Sequence, residues 1–336
     1  MQFSHTGSGQ FTYSTGGGTF NNAGVVTKTA ASSGFTYIYV PFNNSGSVTA
    51  NAGTFYLGPA AATTNNNSGQ LSIAYGASLQ VAGSGTVNFN AGSSLTGAGA
   101  VTFSSGTTNF KAGSTYAISN TQVNGGTADF SATSAVTFDD VTLGSGTLRI
   151  GTVSVTGDFT RTAGTFMALA GTLTFNGGAA QHLELDQPTT FNNFGVVSGT
   201  TVIETAVANN GIVSGTLSNH GIIRKTEVLS ATKVYTFGLT GAVISVASTG
   251  SLSSTVVDFI GQPPPETTSI ILSDYYWAIT PSGSGYTAAL KLPHRFSPPS
   301  DVNICHFNSG TLHWGCSKSS YTANTITWAG LTALEG

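Results

Sequence analysis

Between Gly85 and Gly171 one phrase returns again and again: Gly-Thr, then alternating side chains that end on an aromatic or aliphatic residue. It reads GTVNF at Gly85, GTTNF at Gly106, GTADF at Gly126, GTLRI at Gly146, GTFMAL at Gly164 and GTLTF at Gly171. The first four begin about 20 residues apart, a spacing typical of repeat architectures. A second phrase, rich in Asn and Gly, gives TFNNAGVVTKT from Thr19, FNNSGSVTANAGTFYL from Phe42, TFNNFGVVSGTTVI from Thr190 and ANNGIVSGTLSNHGII from Ala208. Around Gly24, Gly46 and Gly69 it steps by about 22 residues. Short alternating strands broken by Gly and Asn, with a period in the low twenties, define a solenoid. Each repeat there buries its apolar face only against its neighbours.

Local chemistry agrees with this. Val, Ile, Thr, Phe and Tyr favour strands, and alternation turns one face to a core. Gly and Asn tolerate positive φ and bend the chain between strands. If successive coils bend at the same place, their asparagines stack about 4.8 Å apart and hydrogen-bond as a ladder. No segment carries a 3.6-residue apolar period with helix caps. The reading is all-β: a parallel β-helix of about a dozen coils over residues 1–260.

Charge excludes whole classes of function. Only 7% of the 336 residues are charged, against about 25% in an ordinary domain, and the net charge is −3. From Thr29 to Phe110 there is no Asp, Glu, Lys, Arg or His. That stretch holds no side chain for ordinary acid–base chemistry and no basic patch for nucleic acid. No apolar run approaches the length of a membrane span, so no membrane insertion is expected. The opening MQFSHTGSGQ lacks the basic and apolar regions of a signal peptide. A secreted chain of this kind is expected to have lost its signal or to be a piece of something longer.

The pattern changes at GQPPPETTS. Its prolines make residues 261–268 a stiff connector. Residues 269–336 are dense in aromatics and read as a small antiparallel β-sandwich of about six or seven strands. Trp277, Trp314 and Trp328 belong either to its core or to a platform for sugars. Cys305 and Cys316 flank a hairpin signal, NSG; they are either a cross-strand disulfide, which implies an oxidising compartment, or two free thiols.

Three patterns together carry a resemblance: NNSGxVxxxxGTxxL from Asn43, AGSSLxGxGxVTFxxGTxNF from Ala91, and YYWxI…W…GLT in the tail. They resemble bacterial secreted repeat proteins of adhesin or autotransporter-passenger type. That likeness implies a right-handed β-solenoid followed by a small C-terminal β module, at the cell surface or secreted. It implies a structural or adhesive role, with a glycan, a cell-surface polymer or another copy as partner, and no cofactor. Self-assembly into an extracellular filament, through solenoid ends and an open tail edge, is a further reading.

β-Helices also include polysaccharide lyases and glycoside hydrolases, whose chemistry needs clustered carboxylates. The best cluster is HLELD, where His182, Glu184 and Asp186 alternate with leucines and share one outward face. Glu204 follows Glu184 by 20 residues and Arg224 follows Glu204 by 20, so a 20-residue coil would stack all three. The alternative is a solvated face carrying one ladder ion pair. Asp139, Asp140 and Asp158, with Arg161 near them, are candidates for a calcium site. The nonapeptide GGxGxDxUx of calcium-binding β-rolls is absent, and adjacent aspartates point to opposite faces of a regular strand. The tail histidines His294, His306 and His313 fit no zinc spacing with the cysteines.

Overall fold

A computed structural model of the chain describes residues 2–3, 8–11, 18–31, 33–205, 211–264, 274–294, 303–308 and 313–334. It is all-β, a solenoid of stacked coils followed by a small antiparallel sheet at the C-terminus. Two compact units share the chain. One comprises Met1–Gly195 with Val213–Ser218, the other Val196–Ile212 with Asn219–Gly336.

In the first unit the strands are short and pair in parallel with the equivalent strand one coil away. Ser47–Ala50, for example, lies between Val25–Lys28 and Gln70–Ile73, with Val26, Val48 and Leu71 in one inward row. The coils are not of one length. Ladder contacts join residues 18 apart at Asp140 and Asp158, and 24 apart at Asp158 and His182. Turns of the repeat fall on glycine: Gly106, Gly126, Gly146 and Gly164 all have φ between 60° and 71°, a region other residues enter only at a cost. These are the glycines of the Gly-Thr phrase, which fixes one corner of four coils.

The paired asparagines form two ladders, one on each face of the sheet. Inside, Asn22 donates to the Asn44 carbonyl oxygen at 2.7 Å, and Asn44 donates to that of Asn67 at 2.6 Å. Outside, Asn43 donates to Asn21, Asn88 to Asn66, and Asn109 to Asn88, at 3.0–3.3 Å. The inner row then changes chemistry. Asn67 is in register with Phe89, which stacks on Phe110, which stacks on Phe130. Amides and rings are both planar, so either can be repeated at coil spacing. Asn44→Ala is expected to cost about 3 kcal/mol, because it removes two buried bonds and orphans the Asn67 acceptor. The shift in urea midpoint at constant slope measures this. Asn43→Ala on the outer ladder is expected to cost less than about 1 kcal/mol.

The second unit begins with parallel pairing, Thr201–Glu204 against Ile222–Val228. Ile222–Val228 then pairs antiparallel with Ser254–Ile260, and that strand with Tyr276–Ser282. A separate five-stranded sheet runs Val234–Thr236, Val243–Ser248, Thr287–Pro293, Thr325–Leu331, Ser320–Tyr321. Its first two strands precede the proline run, so the C-terminal sheet draws on residues that alternation alone assigned to the solenoid. The proline-rich connector lies largely outside the described residues. The sheet's core includes Phe237, Ile244, Val257, Ile279, Leu290 and Ile326. Among the described residues there is no α-helix, and no helix is long and apolar enough to cross a membrane.

Candidate functional site

The charged residues singled out by spacing differ in burial and in partners. His182 and Glu184 on Ala180–Leu185, and Asp186 just after it, alternate outward and exposed, while Leu183 and Leu185 are fully buried. Glu204 is different: it is the last residue of Thr201–Glu204, points inward and is 2% exposed. The coil there is 21 residues, so Glu204 is in register with Lys225, while Arg224 pairs in register with Ile203. The 20-residue spacing therefore does not stack Arg224 on Glu204. Arg224 instead makes a bidentate pair with Asp258, Nε to Oδ1 and Nη2 to Oδ2, both at 2.7 Å. Those bonds hold its pKa above the ordinary arginine value.

Asp139 and Asp140 are exposed and Asp158 is half-buried, and their oxygens serve the next coil. The Thr156 hydroxyl donates to Asp139 Oδ1 at 3.1 Å, the Asp158 amide to Asp140 Oδ1 at 2.9 Å, and the His182 amide to Asp158 Oδ1 at 2.7 Å. Arg161 turns to the Pro188 and Gly164 carbonyls, each at 2.7 Å, and burial lowers its pKa. Asp140 therefore caps a backbone amide where the coil shortens to 18 residues, and Asp158 caps one where it lengthens to 24. Among the described residues no group of three or more His, Cys, Asp or Glu converges as a metal site would require.

In the tail, Trp277 is half-buried against the core; its indole donates to Thr240 O at 2.9 Å and stacks on Phe259 at 5.0 Å. Trp328 packs on the same core. The side chain of Trp314 lies outside the described residues, as does that of His313. Trp277 and Trp328 are both half-buried. Cys305 and Cys316 face each other across the hairpin Ile304–Asn308 and His313–Ser317 and form a disulfide. His294 is buried, its Nε2 3.2 Å from Thr322 O.

A cluster that spacing arguments passed over lies on the uncharged stretch. Phe35, Tyr37 and Tyr39 stand on one outward face, with successive rings parallel at 5.2 and 5.4 Å. Tyr56, in register with Tyr37 on the next coil, meets both tyrosines edge-on at 5.0 and 5.6 Å. Partial burial, with Tyr39 and Tyr37 beside it, raises the Tyr56 pKa. The face continues in polar side chains: Thr54 and Ser78 share a hydrogen bond of 2.8 Å, and Gln80, in register with Tyr56, donates to Ser104 at 3.1 Å. The signal was present in FTYIYV, where every second residue from Phe35 is aromatic. Alternation places those rings together on the face opposite Thr36, Ile38 and Val40.

No family model matches this sequence, and no curated protein is detectably similar to it. The likeness to adhesin-type repeat proteins therefore rests on the repeat phrases themselves.

Proposed function

We propose that the chain is a non-catalytic adhesive module of a secreted or cell-surface protein, and that the strip Phe35, Tyr37, Tyr39 and Tyr56 is its contact surface. The observation that carries this reading is the position of the strip. Half-exposed rings stand beside hydroxyls and amides in a stretch with no charge from Thr29 to Phe110. Rings with a polar handle beside neutral hydrogen-bonding groups suit a neutral glycan or a similar cell-surface polymer. The disulfide agrees with an oxidising compartment. The burial of Glu204 and the engagement of Asp140 and Asp158 oxygens with backbone amides argue against a hydrolase or lyase site, which needs two carboxylates open to a bound sugar.

The test is retention on a panel of insoluble neutral polysaccharides, with release of reducing or unsaturated ends assayed in the same tubes. The double variant Tyr37→Ala/Tyr39→Ala is expected to bind at least about tenfold more weakly, about 1.4 kcal/mol, with an unchanged unfolding midpoint. Equal retention of variant and parent would sink the assignment of the strip. Product release abolished by Glu184→Gln would replace the adhesive reading with an enzymatic one.

A further inference from the structure

Lys225, Glu204 and Glu227 make a poor set of ion pairs. The Lys225 ammonium is 1% exposed and lies 3.8 Å from Glu204 Oε1 and 3.4 Å from Glu227 Oε1. Neither Lys225 Nζ nor Glu204 Oε1 has a hydrogen-bond partner among the described residues. Charge-assisted bonds that stabilise a fold close to about 2.7–2.9 Å, as Arg224 and Asp258 do one position away. Charges buried without such bonds are not recovered by their mutual attraction. Burial accordingly holds the Glu204 carboxyl above the usual carboxylate range, against the pull of Lys225 and of the Leu239 amide.

The same geometry suits a reaction. Glu204 and Lys225 are register partners on adjacent parallel strands, so the backbone ladder fixes amine and carboxyl side by side. The Leu239 amide donates to Glu204 Oε2 at 2.8 Å, where it would stabilise negative charge building on that oxygen. Oε1, the oxygen toward Lys225, lacks a partner of good hydrogen-bond geometry, although the Gly211 amide also pulls on the carboxyl. The Gly238 backbone packs so closely on the carboxyl that any side chain there would overlap it. Glu227 is 26% exposed and gives a carboxylate at the nitrogen with a path to solvent.

We propose that Lys225 and Glu204 condense into an intramolecular isopeptide bond, with Glu227 carrying the proton. One proton moves from the ammonium to the Glu204 carboxylate, giving a free amine and a carboxylic acid. The amine nitrogen attacks Glu204 Cδ while the Leu239 amide holds Oε2. A C–N bond forms and the C–Oε1 bond breaks. Glu227 takes the proton released by nitrogen and passes it to the departing hydroxyl, which leaves as water. Nothing is oxidised or reduced, and no co-reactant is needed. The product ties two neighbouring strands covalently, and this inference stands independently of the aromatic strip.

Intact-mass spectrometry of the purified full chain decides the matter without any variant. The expected mass is that of the sequence less the two hydrogens of the disulfide and less one water. Tryptic digestion should give one branched peptide joining the segments around Glu204 and Lys225, since trypsin does not cut after an acylated lysine. Lys225→Met should restore the water. Glu204→Gln should reach the same cross-linked product with loss of ammonia instead. Glu227→Gln should leave the bond largely unformed. A folded parent chain that keeps its full water mass after prolonged incubation overturns the proposal, and a Glu227→Gln chain as fully linked as the parent overturns the role given to Glu227.

Discussion

Gly46→Ala is expected to lower the stability of the solenoid by about 3 kcal/mol, while Gly24→Ala, one coil away at the equivalent place, costs less than about 1 kcal/mol. The contrast comes from position in the stack. Gly24, Gly46 and Gly69 form a column in which each glycine lies over the carbonyl of the one before. A methyl on Gly46 would overlap the Gly24 carbonyl oxygen, and one on Gly69 would overlap the Gly46 oxygen. A methyl on Gly24 meets nothing within 4 Å. The obstacle is main chain, so no rotamer change relieves it. The Gly24 carbonyl also accepts the Ser47 amide at 2.8 Å, a rung that displacement would stretch. Backbone φ is no part of this argument, because Gly46 is not among the positive-φ glycines. Urea titration of the two variants beside the parent checks it. Equal midpoints for both would mean that close stacking of coils is not what this column provides.

That column shows how much of the fold was legible. The Asn-Gly phrase already contained it, since FNNAG and FNNSG align Asn22 with Asn44 and Gly24 with Gly46. Two asparagines in sequence must face opposite sides of a strand, so a repeated pair dictates two ladders. What spacing could not supply was the local coil length. A step of 20 carries Glu204 to Arg224, and a step of 21 carries it to Lys225. One residue of slip exchanges the two faces of a strand. That single residue separates an outward acid–base groove from a buried lysine–glutamate pair. Coils of 18 to 24 residues made any fixed period unreliable for placing side chains, though sufficient for naming the fold.

The C-terminal sheet was less legible for another reason. Val234–Thr236 and Val243–Ser248 alternate much as solenoid strands do, yet Val243–Ser248 pairs with Thr287–Pro293, some forty residues later. Alternation reports a half-buried face but not the partner strand or its direction. The candidate surface followed the same logic. Charge-bearing residues stand out in a sequence because catalysis needs them, whereas FTYIYV carries its information in which face the rings share.

Phe110→Ala is expected to have the largest effect of any single substitution in the first unit, about 4 kcal/mol. The Phe110 ring is 1% exposed and lies between Phe89 at 4.5 Å and Phe130 at 4.3 Å, nearly parallel to both. Tyr116 and Phe103 close its edges at 5.2 and 6.3 Å. The cost of such a truncation depends on how far the surroundings can collapse into the space. Here they cannot follow. The strand that carries Phe110 is pinned between its neighbours by parallel ladders, Thr86–Phe89 on one side and Thr127–Asp129 on the other. Coil spacing is set by backbone hydrogen bonds, so the void persists. Phe110→Leu refills most of it and is expected to cost about half as much. Because each coil is stabilised only by its neighbours, the loss should be local. Amide exchange should rise at Phe89, Phe110 and Phe130 and stay near the parent's level at Phe20 and Phe42, four coils and three coils removed from the Phe110 row. A truncation cost below about 1 kcal/mol, or exchange raised evenly along the first unit, would show that the ring column is not close-packed and that the coils unfold together.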